Sequence, residues 1–281
     1  MATLEEALRV EELDVDIYRG AVTRTLLVRT FGGQVAGQAL VSAVRTVESP
    51  FTVHSLHGYF LRPGNPARPT IFLVERIRDG RSFCTRRVTG LQAGKAIFMM
   101  SASFHVGDDG PAHQDTMPAV PLPDELPKPE TFLSPTRLWF QREWGEHWDI
   151  RVVPDDALVG NPLAPARQQM WFKYRHRLPD DPLVHVCALA YMSDMTLLVS
   201  AKVIHTDVPT QNASLDHAMW FLRPFRTDEW LFYDQTSPFA GAGRALTQGR
   251  IFDRDGVLVA AVVQEGLTRT LRDEHAAQAT Y

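Results

Sequence analysis

The sequence predicts an α+β protein of two similarly built halves, each a helix wrapped by a curved antiparallel sheet. Three observations carry that prediction. The tetrapeptide Phe60-Leu61-Arg62-Pro63 recurs as Phe221-Leu222-Arg223-Pro224, 161 residues further on. Each copy is followed by three strand-like runs separated by turn residues. Between the two halves the chain changes character: ten of its nineteen prolines fall between Gly107 and Arg167.

In the first half the stretch Gly32-Gly33-Gln34-Val35-Ala36-Gly37-Gln38-Ala39-Leu40 places small and apolar residues at helical spacing. A sheet can close around such a helix because Val35, Ala39, Leu40, Ala43 and Val44 leave few polar groups to solvate. Strands are expected over roughly Thr70–Arg76, Arg81–Leu91 and Lys95–Phe104, with Asp79-Gly80 and Ala93-Gly94 as hairpin signals. In the second half, Ser193-Asp194-Met195-Thr196-Leu197-Leu198-Val199 lies at the 161 offset and also reads as a helix. Asp180-Asp181-Pro182 has the look of an earlier helix start. Strands follow over Glu229–Thr236, Gly243–Phe252 and Val257–Gln264, with a turn at Asp255-Gly256. The expected units are 1–106, a proline-rich connector 107–166, and 167–281. Trp139, Trp144 and Trp148 argue that the connector packs back on the halves, with a short helix near Leu138 to Trp148. The tail Arg272 to Tyr281 reads as polar and loosely held.

Composition sets limits. The 281 residues carry 44% hydrophobic and 22% charged side chains, typical of a folded globular chain. A net charge of -4 leaves no basic footprint for nucleic acid. No signal pattern opens the chain, and no apolar run is read as reaching the ~20 residues of a membrane span. A cytoplasmic protein without membrane insertion is expected. The two cysteines, Cys84 and Cys187, build no disulfide framework and read as small buried hydrophobes.

Several strings in order resemble the acyl-CoA thioesterase II family. They are Phe31-Gly32-Gly33-Gln34-Val35-Ala36-Gly37-Gln38, His54-Ser55-Leu56-His57-Gly58-Tyr59-Phe60-Leu61-Arg62-Pro63-Gly64, Ser193-Asp194, Leu215-Asp216-His217-Ala218-Met219-Trp220-Phe221, and Gly256-Val257-Leu258-Val259-Ala260 leading to Val263-Gln264-Glu265-Gly266. The resemblance spans nearly the whole chain and implies a double-hotdog fold. It implies hydrolysis of fatty acyl-CoA to free fatty acid and coenzyme A, with no metal or redox cofactor. It also implies a homo-oligomer. In that family an Asp, a Thr and a Gln position a water against the thioester carbonyl; the matching positions are Asp194, Ser214 and Gln264. Serine for threonine keeps the hydroxyl but loses the methyl that restricts its rotamer. A catalytically weak or silent acyl-CoA binder is the alternative. An enoyl-CoA hydratase has less support, since no short hydratase motif occurs.

The chemistry fits these residue types. A thioester is already activated, so hydrolysis needs an oriented water, a base and oxyanion stabilisation. At the 161 offset Asp194, Ser214 and Gln264 correspond to Gly33, Val53 and Ser103, which predicts one working site per chain, walled by the first half. Read alone, Asp194 after Ser193 also fits a helix N-cap. Gly32 and Gly33 either present N–H groups to an oxyanion at a helix N-terminus or simply permit tight packing. His54, His57 and His217 lack a third ligand at useful spacing and read as structural. Arg62 and Arg223 fit coenzyme A phosphates or a structural contact; the exposed Arg78, Arg81, Arg86 and Arg87 form a better-placed basic patch, which a solvated strand face explains equally well.

Overall fold

The computed structural model describes residues 2–128, 135–154 and 166–271; the side chain of Trp139 and the tail from Arg272 lie outside them. The first half runs α1 (Leu4–Leu8), β1 (Val10–Asp14), β2 (Ile17–Gly20), α2 (Gly32–Val44), β3 (Thr52–Phe60), β4 (Ile71–Asp79), β5 (Phe83–Gln92) and β6 (Lys95–His105). The second holds β7 (Trp148–Val152), β8 (Arg167–Tyr174), α4 (Pro182–Ser193), β9 (Thr210–Ser214), β10 (Asp216–Phe221), β11 (Leu231–Gly241), β12 (Arg244–Asp253) and β13 (Leu258–Thr270). Helix α3 (Pro135–Trp144) lies between them.

The strands form one sheet in the order β1-β2-β4-β5-β6-β3-β10-β13-β12-β11-β8-β7, with β9 also on β13. Exchanging the halves maps this order onto itself, and β3 joins β10 antiparallel at the centre. The fold is a double hotdog. Helix α2 is buried almost all round, as its Ala and Gly content requires. It runs antiparallel to α4: a Cβ on Gly33 would meet the Tyr191 carbonyl, and one on Gly37 would lie 3.5 Å from that of Cys187. One hydrophobic core takes in both helices and strands of both halves. Cys84 and Cys187 are free and buried, and burial pushes the Cys187 thiol up to about 12, which keeps it an inert packing group.

The repeated tetrapeptide proves to be a clamp. Leu61 and Leu222 donate backbone N–H bonds to Ile97 and Val259, each at 2.8 Å. Arg62 and Arg223 donate to the carbonyls of Ala96 and Leu258 at 2.6 and 3.1 Å. Both arginines therefore pin the start of the last strand of their own half.

Several expectations change. Helix α4 begins at Pro182, N-capped by Asp181, whose carboxylate accepts from the Leu183 N–H at 3.0 Å. It ends at Ser193, so Asp194 is its C-cap and not an N-cap. The apolar stretch Pro182–Lys202 has the length and hydropathy of a membrane span, contrary to the sequence reading. Here it is α4 followed by a 3-10 helix (Leu197–Lys202), mostly buried in the core. Arg86, expected on an exposed face, is only 2% exposed. Trp148–Val152, read as connector, is strand β7 beside β8. Trp144 and Trp148 are buried, and Trp144 Nε1 donates to the Tyr191 hydroxyl at 3.0 Å.

The 161 offset holds for β3 and β10 but not throughout. Thr46 N–H bonds Ala43 just after α2 as Met195 N–H bonds Met192 just after α4, an offset of 149. The extra residues of the second half form the 3-10 helix and its approach to β9. In the last strands, Gly90 pairs with Phe98 and Ile251 with Ala260, because the β12–β13 hairpin is one residue longer. Asp194 thus corresponds to Arg45 rather than Gly33, and Gln264 to Ala102 rather than Ser103.

Candidate active site

Asp194 leaves the C-terminus of α4 half-buried, and its Oδ1 is held by two donors from different strands. Ser214 Oγ, the last residue of β9, donates at 2.9 Å, and Gln264 Nε2 from β13 donates at 2.5 Å. The three residues named from sequence therefore meet on one carboxylate oxygen. Their register is local chemistry. Where the ladder breaks between β9 and β10, the Asp216 carboxylate takes the Glu265 N–H at 2.6 Å, setting Ser214 and Gln264 opposite Asp194.

Gln264 is fully buried. Its amide nitrogen also faces His217 Nδ1 at 3.1 Å, and Thr247 Oγ1 donates to its backbone carbonyl at 2.9 Å. Its side-chain Oε1 is buried and has no hydrogen-bond partner among the described residues. Such an atom costs about 1–3 kcal/mol unless a donor reaches it. His217, on β10, is also fully buried, and its Nε2 lies 2.7 Å from Ser193 Oγ. Burial pushes its pKa below the ordinary imidazole value despite the nearby Asp194 and Asp216, so the ring is neutral. Tyr233 donates to the Ser193 carbonyl at 3.2 Å, and burial raises its own pKa well above the usual phenol value. Gln235 donates to Thr196 Oγ1 at 2.7 Å and fixes the turn after Asp194.

The first half closes the other side. The N-terminus of α2 points at Asp194: a Cβ on Gly32 would stand 2.6 Å from Asp194 Oδ2 and 3.0 Å from the Phe60 ring. Gly33 packs as closely on the Tyr191 carbonyl. Both glycines are needed for this approach, and Phe31 supplies no side-chain cap to the first-turn N–H groups. The segment entering α2 is tied down by Glu143 at the end of α3, which accepts from Thr25 Oγ1 at 2.6 Å and Leu26 N–H at 2.8 Å.

Of the remaining candidates, His54 bonds Ser103 Oγ at 2.9 Å and His57 packs edge-on against Trp220 at 5.0 Å. Neither joins the Asp194 cluster through any contact described. Sequence reasoning set His217 aside as structural and passed over Tyr233, Thr196 and Gln235. Only His217 carried a signal, being within the string that also holds Asp216.

The double hotdog thus sets an anchored carboxylate beside a helix N-terminus, where developing negative charge is favoured. Comparison gives the family directly. A family model described as "Acyl-CoA thioesterase" matches residues 141–267, and one described as "Acyl-CoA thioesterase N-terminal domain" matches 24–105. Acyl-coenzyme A thioesterase 8 of Mus musculus is 41% identical over 93% of this chain and 87% of its own length. The crystal structure of acyl-CoA thioesterase II TesB2 from Mycobacterium marinum superposes with a TM-score of 0.85 at 57% identity, covering 96% of this chain and 99% of that one. A conserved protein with a hot dog fold from Alicyclobacillus acidocaldarius shares the fold at 20% identity and a TM-score of 0.79, over 97% of this chain and 100% of that one. The chain belongs to the acyl-CoA thioesterase family.

Proposed function

We propose that this acyl-CoA thioester hydrolase works through a single site per chain, in which Asp194 is the base and Ser214 and Gln264 hold it and the attacking water in line. The observation that carries the reading is the convergence of both donors on Asp194 Oδ1, which leaves Oδ2 to take a proton. Water donates one hydrogen to Oδ2 and attacks the thioester carbonyl carbon. The tetrahedral oxyanion is stabilised by first-turn N–H groups of α2 at Gly32 and Gly33. Collapse breaks the C–S bond; the proton held on Asp194 returns to the departing coenzyme A sulfur, giving free acid and thiol. Ser214 Oγ, half-buried and donating its own hydrogen to Asp194, keeps a lone pair for the second hydrogen of that water.

The substrate read from this is fatty acyl-CoA. The proposed setting is the cytoplasm, as a homo-oligomer without nucleic-acid partners. Support for association is that β1 and β7 end the sheet with one paired side each among the described residues, edges that proteins commonly cover. Thiol release from acyl-CoA of several chain lengths tests the reaction. Asp194→Asn is expected to lower kcat about 10²–10⁴-fold, the usual worth of a general base. Near-normal turnover by that variant overturns the assignment; tight acyl-CoA binding without thiol release by the wild type makes the protein a silent binder.

A further inference from the structure

We propose that His217 is a positioning residue of this site: its neutral imidazole accepts a hydrogen bond from the Gln264 amide and thereby fixes which face of that amide meets Asp194. The inference rests on the reading of Asp194, Ser214 and Gln264 given above.

The donors and acceptors allow one arrangement. An ionised Asp194 Oδ1 only accepts, so the Gln264 atom beside it is the NH2 nitrogen. One of its hydrogens goes to Asp194; the other points to His217 Nδ1 at 3.1 Å, which must then offer a lone pair. The ring proton therefore sits on Nε2 and is donated to Ser193 Oγ at 2.7 Å. Ser193 Oγ passes its own hydrogen to the Ala190 carbonyl at 3.1 Å. Hydrogen bonds thus run in one direction out of Gln264, through the ring, to the backbone of α4. Tyr233 anchors the Ser193 carbonyl, and Met219 Sδ lies 3.3 Å from Ser193 Oγ on the same side.

A second proton on His217 reverses one link. Nδ1–H would face the Gln264 NH2, donor against donor, and turning the amide would set Oε1 against the Asp194 carboxylate. The groups facing the ring are Asp194 and Ser193 from the end of α4, Gln264 from β13, and Asp216 and Met219 from its own strand. Tyr233 on β11 reaches it through Ser193. The two carboxylates favour the proton and burial opposes it, with burial the larger effect. The neutral, competent form is held from neutral pH down to below the ordinary imidazole pKa and is lost as the ring protonates.

Turnover of decanoyl-CoA by His217→Leu, His217→Asn, Ser193→Ala and Asp194→Asn tests this, with folding checked by thermal melting. His217→Leu is expected to lose about tenfold or more in kcat with KM within about twofold, as for an interaction made in the transition state. In His217→Asn the side-chain Oδ1 replaces Nδ1 as acceptor and binds no proton. It is expected to recover about a third or more of wild-type kcat and to hold it to lower pH than the wild type. Ser193→Ala removes the partner of Nε2–H, frees the other tautomer, and is expected to cost kcat severalfold. Should His217→Leu fail to fold, 15N spectra of the wild-type ring decide: a neutral Nε2–H tautomer at pH 7.5 agrees, an Nδ1–H tautomer or imidazolium overturns. Wild-type kcat in folded His217→Leu, or His217→Asn as slow as His217→Leu, also overturns it. If Asp194→Asn is inactive while His217→Leu is normal, only the positioning role fails; if Asp194→Asn is normal, the site itself was misassigned.

Discussion

The two halves of this molecule share a plan and put opposite chemistry at one place in it. At the end of α4 the second half gathers a carboxylate, a hydroxyl, an imidazole and an amide: Asp194, Ser214, His217 and Gln264. Their counterparts in the first half are Arg45, Val53, Leu56 and Ala102. Thr247, which braces Gln264, is matched by Arg86. That guanidinium fills the first half's version of the site. It donates to Thr46 Oγ1 at 2.8 Å, to the carbonyls of Thr46, Arg78 and Thr85, and to Asp79 at 2.6 Å. A helix C-terminus carries leftover carbonyls and partial negative charge, so a cation there stabilises. A carboxylate in the same position is unfavourable and must be held by donors. Asp194 is held, by Ser214 and Gln264 and by the positive end of α2. On the proposed reading, one half uses this corner for stability and the other for catalysis.

The comparison breaks if Arg86 matters to turnover. Arg86→Met keeps the bulk but strands several buried carbonyls, which predicts a loss of about 2–4 kcal/mol, read as a fall in the denaturation midpoint. The kcat of the folded variant on acyl-CoA is expected to stay at the wild-type value. A parallel fall in kcat would mean that the plugged corner supports the active one.

The same corner shows what the sequence could and could not convey. Asp194, Ser214 and Gln264 were legible because they sit in recognisable strings, and they do meet. The repeat in the strands was legible too, since Leu61-Arg62 and Leu222-Arg223 each hold the start of the last strand of their own half. A single offset failed where chain was inserted: a 3-10 helix after Asp194, and one residue in the β12–β13 hairpin. Pattern matching cannot see such a shift when flanking residues are apolar on both sides. Arg86 was misread because Arg86-Arg87 are adjacent on a strand, where one side chain must point inward, and charge alone favours neither. The role of His217 depends on a donor and acceptor sense that exists only once three strands and a helix end are assembled.

The contribution of the first half to the active corner is sharpened by Gly32→Ala. The new Cβ would press on Asp194 Oδ2 and the Phe60 ring, and the carboxylate is tethered by two hydrogen bonds that resist a shift. Overpacking of this kind costs about 1–3 kcal/mol, and a displaced base is expected to lower kcat about tenfold. Gly94→Ala is the control. Nothing lies near its Cβ, and its φ of +74° imposes only backbone strain, so stability is expected to fall by about 1 kcal/mol with kcat unchanged. Equal kcat in the two variants would detach α2 from the site.

The smallest expected effect concerns the hydroxyl. Ser214 is half-buried and already bonded to Asp194 at 2.9 Å, so its rotamer is set by that bond as well as by its own torsion. Adding the methyl in Ser214→Thr restricts the same torsion a second time. If Asp194 already does this work, thiol release by Ser214→Thr stays within about threefold of wild type, with little room for further preorganisation. A tenfold gain would show that the serine hydroxyl wanders in the free enzyme and that the bond to Asp194 is too weak to hold it. A tenfold loss would place the γ-methyl against the acyl group, making this position a wall of the substrate pocket as well as a donor.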